Sequence, residues 1–197
     1  NMISFSNDMA MLAEKIKNID IKEAFNSIKI DSRWNGSPSA MSNYYHPGLG
    51  YGGYCLPKDI KSLKYISKKY SKSTILDQID KINNNIFLHQ YKKIIKIKKK
   101  QNLFILGLSF KPGSDDLRSS KSIQLIKKLI KKNRKITAFD PLCYESANHI
   151  LGNKIKILKK PFIAKNTTYI LSTAWPSYIK FLSKIEKQKI IDLRYVV

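Results

Sequence analysis

The sequence predicts an α/β protein in two unlike parts, an all-helical region over residues 1–100 and a small parallel-sheet region over residues 101–197. Three observations carry this. Apolar residues before residue 100 recur every three or four positions, the period of a helix face. After Gln101 the period gives way to short continuous apolar runs, which read as strands buried on both faces. Those runs alternate with a helical pattern, the order that builds a parallel sheet.

The first helix reads from Phe5, with Met9, Leu12, Ile16 and Ile19 on the same face. Asp20 followed by Glu23 is a capping box, which opens a short helix through Ala24, Phe25 and Ile28. Residues 31–54 are rich in Gly, Ser, Asn, Pro and Tyr and read as a loop. A helix follows from Pro57, with Ile60, Leu63 and Ile66 turned inward. A long helix spans 74–98 on Ile75, Ile79, Ile82, Ile86, Gln90, Ile94 and Ile97. Asn83, Asn84 and Asn85 are weak helix formers, but the periodicity runs through them. Lys96, Lys98, Lys99 and Lys100 suit its carboxyl end. Then come a strand at Asn102–Leu108, a helix at Ser120–Lys132 and a strand at Lys135–Phe139 ending in Asp140-Pro141. Strands at Thr167–Ser172 and Lys189–Leu193 complete the set.

The 197 residues can bury a true core, and a hydrophobic fraction of 43% is that of a globular protein. The formal charge of +23 would attract phosphorylated metabolites, nucleic acid or an anionic membrane. Arginine is limited to Arg33, Arg118, Arg134 and Arg194, and no nucleic-acid-binding motif is present, so the lysines read as compositional bias. Cys55 and Cys143 form no disulfide framework, and His46, His89 and His149 have no metal-ligand spacing. Nor does any apolar run approach the roughly 18 residues of a membrane span. The expectations are a cytoplasmic protein, with no metal, no nucleic acid and no membrane as partner.

One segment stands out chemically: Leu49-Gly50-Tyr51-Gly52-Gly53-Tyr54-Cys55-Leu56-Pro57-Lys58-Asp59. Glycines let a backbone pass close to a ligand, and proline suits a first helical turn. The segment therefore reads as a tight loop that delivers a thiol to a helix N-terminus, where the partial positive charge favours thiolate. Lys58 adds a cation, and Asp59 adds a group that can relay a proton. The alternative is a small buried cysteine after an ordinary turn.

Residues 50–59 resemble the segment G-[FY]-G-G-x-C-[FL]-P-K-D of the UDP-glucose/GDP-mannose dehydrogenases. Gly107-Leu108-Ser109-Phe110-Lys111-Pro112-Gly113-Ser114-Asp115-Asp116-Leu117-Arg118-Ser119-Ser120 is similar to a second segment of that family, G-L-x-F-K-x-x-[ST]-D-D-x-R-x-S. The resemblance implies a central helical region that carries the cysteine and forms a homodimer, followed by a Rossmann-like domain that holds a UDP-sugar. It also implies that the NAD-binding domain and a catalytic Lys-x-x-x-Asn pair lie upstream of Asn1, so that this chain alone is inactive. The activity implied is an NAD-dependent 6-dehydrogenation of a nucleotide sugar, most like UDP-glucose to UDP-glucuronate, in polysaccharide biosynthesis. It proceeds by two hydride transfers through a thiohemiacetal and a thioester on Cys55.

Under that resemblance Cys55, Asp59 and Lys58 are catalytic. Tyr44, Gly52, Gly53, Lys111 and Arg33 bind substrate, and Arg118 reaches NAD from the C-terminal domain. No metal is implied. Without the resemblance, Lys111 and Arg118 read as solvated charges. Asp115 and Asp116 are expected to cap the next helix or to orient Arg118, and Cys143 is expected to be structural. Trp34-Asn35-Gly36-Ser37-Pro38-Ser39 reads as an insertion between Arg33 and Tyr44. Two further readings stay open, a non-catalytic UDP-sugar-binding dimerisation module and a related UDP-N-acetylhexosamine or GDP-mannose dehydrogenase.

Overall fold

A computed structural model of the chain describes residues 1–28, 30–34, 44–70 and 74–197. The helical part holds α1 (Met2–Ile16), α2 (Ile21–Ile28), α3 (Cys55–Tyr70) and α4 (Thr74–Ile95), with a 3-10 turn at Ser32–Trp34. The second part holds β1 (Asn102–Leu106), α5 (Lys121–Ile130), β2 (Ile136–Phe139), α6 (Tyr144–Leu151), β3 (Lys156–Leu158), β4 (Thr167–Leu171), α7 (Pro176–Leu182) and β5 (Ile190–Asp192). The five strands form one sheet in the order β3-β2-β1-β4-β5. All its pairings are parallel, with Leu103 opposite Ile136 and Thr168 on its two sides.

Alternation along β1 explains why both faces are covered. Leu103 and Ile105 point into one core with Ile126 and Leu129 of α5. Phe104 and Leu106 point into the other with Tyr178 and Leu182 of α7. A continuous apolar strand thus feeds two layers, as a parallel sheet requires. Phe87 and Ile94 of α4 enter the α5-side core, so the long helix is what joins the two parts.

Several boundaries differ from the sequence expectation for identifiable reasons. The first strand stops at Leu106 because Gly107 turns the chain at φ 94°. Ser120 is the cap of α5, accepting from Ile123 N–H, rather than part of the helix. The helix α4 runs unbroken through the three asparagines but ends at Ile95. Asn83 has a tertiary role there: its Oδ1 accepts from Tyr51 N–H at 2.7 Å and its Nδ2 donates to Tyr51 C=O at 3.3 Å. A buried amide that satisfies both backbone groups of a loop residue offsets its weak helix propensity. The elements α6, β3 and α7 were not anticipated, each being short and without a clear period.

Two helices correct the sequence reading more sharply. Leu63 and Ile66 of α3 were expected to face inward, yet each is 50% exposed, and no residue of α3 is buried. Periodicity finds the stripe but does not say what covers it. The same holds for α1: Phe5, Leu12 and Ile16 form the predicted face, but that face is exposed. The buried face is the small polar one of Ser4, Ser6, Asn7 and Ala10. Asn7 Oδ1 accepts from Gly48 N–H at 2.7 Å, so α1 is pinned to the cysteine-bearing loop by a buried hydrogen bond. One half of the predicted box is seen at α2, where Asp20 Oδ1 accepts from Glu23 N–H at 2.9 Å.

Glu14 ties α1 to α4 and to the chain's last residues. It receives His89 Nε2 at 2.6 Å, Lys93 Nζ at 2.5 Å and Tyr195 Oη at 2.5 Å. Burial pushes its carboxyl up, but the three hydrogen bonds outweigh this and hold it below the usual range. Because the folded value lies below the unfolded one, this stabilisation is complete above the ordinary glutamate range. It is lost as pH falls through the folded value. Wild-type melting temperature is therefore expected to fall below about pH 4.5 more steeply than that of Glu14→Gln. Identical slopes in thermal melts across pH 3 to 7 would contradict this role.

Candidate functional site

Loops after β1 and β2 meet at the carboxyl edge of the sheet, where open α/β sheets bind ligands. Asp140, only 2% exposed at the end of β2, organises them. Its Oδ2 accepts from Leu108 N–H at 2.7 Å and Ser109 N–H at 3.1 Å, and its Oδ1 from Leu142 N–H at 3.0 Å. Thr173 Oγ1 after β4 donates to Ser109 C=O at 2.7 Å. The strand ends therefore fix the first turn of the loop that runs from Gly107 to Ser120.

That loop is sewn to the cysteine segment. Gly53 N–H donates to Arg118 C=O at 3.0 Å. A Cβ at Gly52 would lie 2.5 Å from Ser119 C=O oxygen, and one at Gly53 would lie 2.9 Å from the Phe110 ring. Gly53 also has φ 80°. At these two glycines the backbone admits the close approach of this chain's own second loop.

Cys55 follows as the first residue of α3 and is exposed. Tyr54 beside it is flanked by two cations, the Arg118 guanidinium 4.6 Å from its ring centroid and Lys58 Nζ at 5.5 Å. Lys58 pairs with Asp59 at 3.0 Å, both exposed, and this hydrogen bond holds the Lys58 ammonium above its usual range. Arg118 is held by Asp116 through Nε at 3.0 Å and Nη2 at 2.9 Å. That fork lowers the Asp116 carboxyl and raises the guanidinium. Of the two expected roles for Asp116, orienting Arg118 is the one observed, while Ser120 caps the helix.

Thus Cys55, Lys58, Asp59 and Arg118 converge around Tyr54. Lys111 is exposed one step away, its Nζ 5.5 Å from the Phe110 ring that packs on Gly53. Tyr44 does not join this cluster. It lines an apolar pocket with Met2, Tyr51, Leu56 and Ile79 on the α1 side of α3. The Arg33 side chain and the insertion residues 35–39 lie outside the described residues. Cys143 is fully buried, and burial pushes its thiol up, as fits a structural residue.

Three groups near the site were not singled out in the sequence. Asp140 is one, and its position at a strand end before proline was the available signal. Lys121 and Arg194 are the others, lining a narrow crevice with Gly52, Ser109 and Thr173. Burial pushes the Lys121 ammonium down, and the side chain lies 5.4 Å over the Phe87 ring. Arg194 passes against Gly48, reaching the crevice from the far end of the chain. Among the described residues no group of His, Cys, Asp and Glu is placed to hold a metal ion, and no helix is long and apolar enough to cross a membrane.

The fold and site define an α/β ligand-binding module whose carboxyl-edge loop is joined to an exposed thiol from a helical region. Family models support a more definite statement. The central domain of the UDP-glucose/GDP-mannose dehydrogenase family matches residues 1–85, and the UDP-binding domain of the same family matches residues 104–197. The chain belongs to the UDP-glucose/GDP-mannose dehydrogenase family.

It is 32% identical to a UDP-glucose 6-dehydrogenase of Rickettsia bellii over 99% of this chain and 46% of that protein. It is 29% identical to a GDP-mannose 6-dehydrogenase of Azotobacter vinelandii over 97% of this chain and 46% of that protein. The fold is similar to a UDP-glucose dehydrogenase structure from Pyrobaculum islandicum, with TM-score 0.82 and 24% identity over 99% of this chain and 44% of that one. The chain therefore spans under half the length of these relatives.

Proposed function

We propose that residues 1–197 supply the thiol-bearing region and the nucleotide-sugar-binding domain of an NAD-dependent 6-dehydrogenase that acts on UDP-glucose. One observation supports the reading: the hydrogen bond from Gly53 N–H to Arg118 C=O joins the thiol segment to the loop after β1. The site's donor set suits anionic ligands. Lys111 would meet the UDP moiety, and Arg118, exposed and held by Asp116, would meet a phosphate of the dinucleotide. Bound NAD would accept hydride from the sugar's C6.

Cys55 adds through Sγ to the C6 aldehyde, so that the intermediate cannot leave. Its place as the exposed first residue of α3 leaves Sγ open to a bound sugar. Asp59, paired to Lys58, would take a proton from the water that releases the carboxylate. Within this reading the exposed stripe of Phe5, Leu12 and Ile16 on α1 is the face of a homodimer, and the location is cytoplasmic.

The reading is tested by assaying the full-length protein with NAD and UDP-glucose, UDP-N-acetylmannosamine or GDP-mannose. Two NADH per UDP-glucuronate is the expected result. Turnover of GDP-mannose alone would move the substrate assignment, and no turnover of any of them would favour a non-catalytic UDP-sugar-binding module.

A further inference from the structure

The parallel sheet has two edges, and its charges are divided between them. Among the carboxylates of residues 101–197, Asp115, Asp116, Asp140 and Glu145 lie in loops or a first turn at the carboxyl edge, and Asp192 ends β5 there. Glu186 alone lies at the amino edge, and it is paired with Lys189 at 2.5 Å. Every strand is entered at that edge by an exposed lysine. In sheet order these are Lys156, Lys135, Lys100, Lys165 and Lys189. At ordinary strand spacing the row is about 20 Å long. Lys131 and Lys132, at the end of α5, extend it.

A lysine-rich composition explains many lysines, but not why carboxylates avoid one edge. The ends of helices there favour a cation or two. That does not explain Lys156, in a strand, or Lys165, in a turn.

We propose that this amino edge is an electrostatic docking surface for an anionic lipid bilayer. The residue types favour a lipid surface over nucleic acid. The edge segments 98–101, 131–135, 152–156, 164–166 and 183–189 contain no aromatic residue on which a base could stack. The one arginine there, Arg134, is occupied by Ile97 C=O at 2.8 Å and Lys98 C=O at 3.2 Å, so no free guanidinium remains to read a base edge. Exposed ammonium groups spread over a broad edge suit a plane of anionic headgroups, to which each adds a similar increment. Lying on the bilayer by this edge, the domain would turn its ligand loop away from the lipid. The expectation of no membrane partner rested on the lack of a spanning segment, which does not bear on peripheral contact.

The test is co-sedimentation of the chain with phosphatidylcholine vesicles containing about one-third phosphatidylglycerol, against pure phosphatidylcholine, from about 0.05 to 0.5 M salt. Binding to the anionic vesicles alone, lost at high salt, is expected. Lys131→Glu/Lys132→Glu/Lys135→Glu should weaken it by roughly tenfold or more. A variant of equal net charge, Lys61→Glu/Lys68→Glu/Lys69→Glu on exposed positions of α3, should retain most of it. Circular dichroism confirms that both variants fold. Equal loss in both would reduce the effect to net charge and overturn the proposal. So would equal binding to neutral vesicles, no vesicle binding, or a preference for duplex DNA over anionic vesicles in direct competition.

Discussion

Replacing Cys55 with serine in the full-length protein is expected to lower UDP-glucuronate formation by about three orders of magnitude or more, with UDP-glucose affinity changed by no more than about twofold. The thiol is exposed on the first residue of α3, with Lys58 and Arg118 flanking the neighbouring Tyr54 ring. A serine there keeps the shape but offers a far weaker nucleophile, with no base in this cluster other than the exposed Asp59. Cys143, buried beneath the sheet's edge, cannot take over. Acid formation by the serine variant at the wild-type rate would remove Cys55 from the chemistry.

The second large effect concerns Gly52. An alanine Cβ there would sit 2.5 Å from the Ser119 carbonyl oxygen, a backbone atom with little freedom to yield. The thiol segment would have to lift from the ligand loop and lose the Gly53–Arg118 hydrogen bond. Overpacking and a lost bond together are expected to destabilise the protein by about 2–4 kcal/mol. The melting temperature should fall by roughly 5–10 °C, and acid formation should drop at least about tenfold. Gly152 is the useful control, because it has φ 56° but nothing within 4 Å of its Cβ position. Gly152→Ala tests conformation without contact: at φ 56° and ψ −150°, a region adopted almost only by glycine, it should lose about 1–3 kcal/mol and keep full activity. If Gly52→Ala kept acid formation as fully as Gly152→Ala, the two loops would not be locked as described.

Much of this was legible in the chain itself. Apolar periodicity and its change near residue 100 placed α1 to α5 and four of the five strands, because periodicity records local geometry. The cysteine segment and the loop after β1 were recognisable as motifs, and the structure brings Cys55, Lys58, Asp59 and Arg118 together. What failed were statements about which surface faces what. The α3 stripe of Leu63 and Ile66 lies exposed, and α1 buries Ser6 and Asn7 while exposing Phe5 and Ile16. Periodicity identifies a face but not its partner. Asn83 is the converse case: three weak helix formers in a row made sense only once Asn83 was seen to hold Tyr51 at both backbone groups. Asp140 and Arg194 were missed as site neighbours because their relation to the loop after β1 is tertiary.

In the proposed function the loop carrying Lys111 and the segment carrying Cys55 form one nucleotide-sugar site. The most direct test is a calorimetric titration of the purified chain with UDP-glucose, with UDP and GDP-mannose alongside. Saturable binding of UDP-glucose and UDP is expected, weakened roughly 10- to 100-fold by Lys111→Ala, the loss expected for one charge-assisted phosphate contact. UDP-glucose binding that is unaffected by Lys111→Ala, or no binding of any of the three, would contradict it.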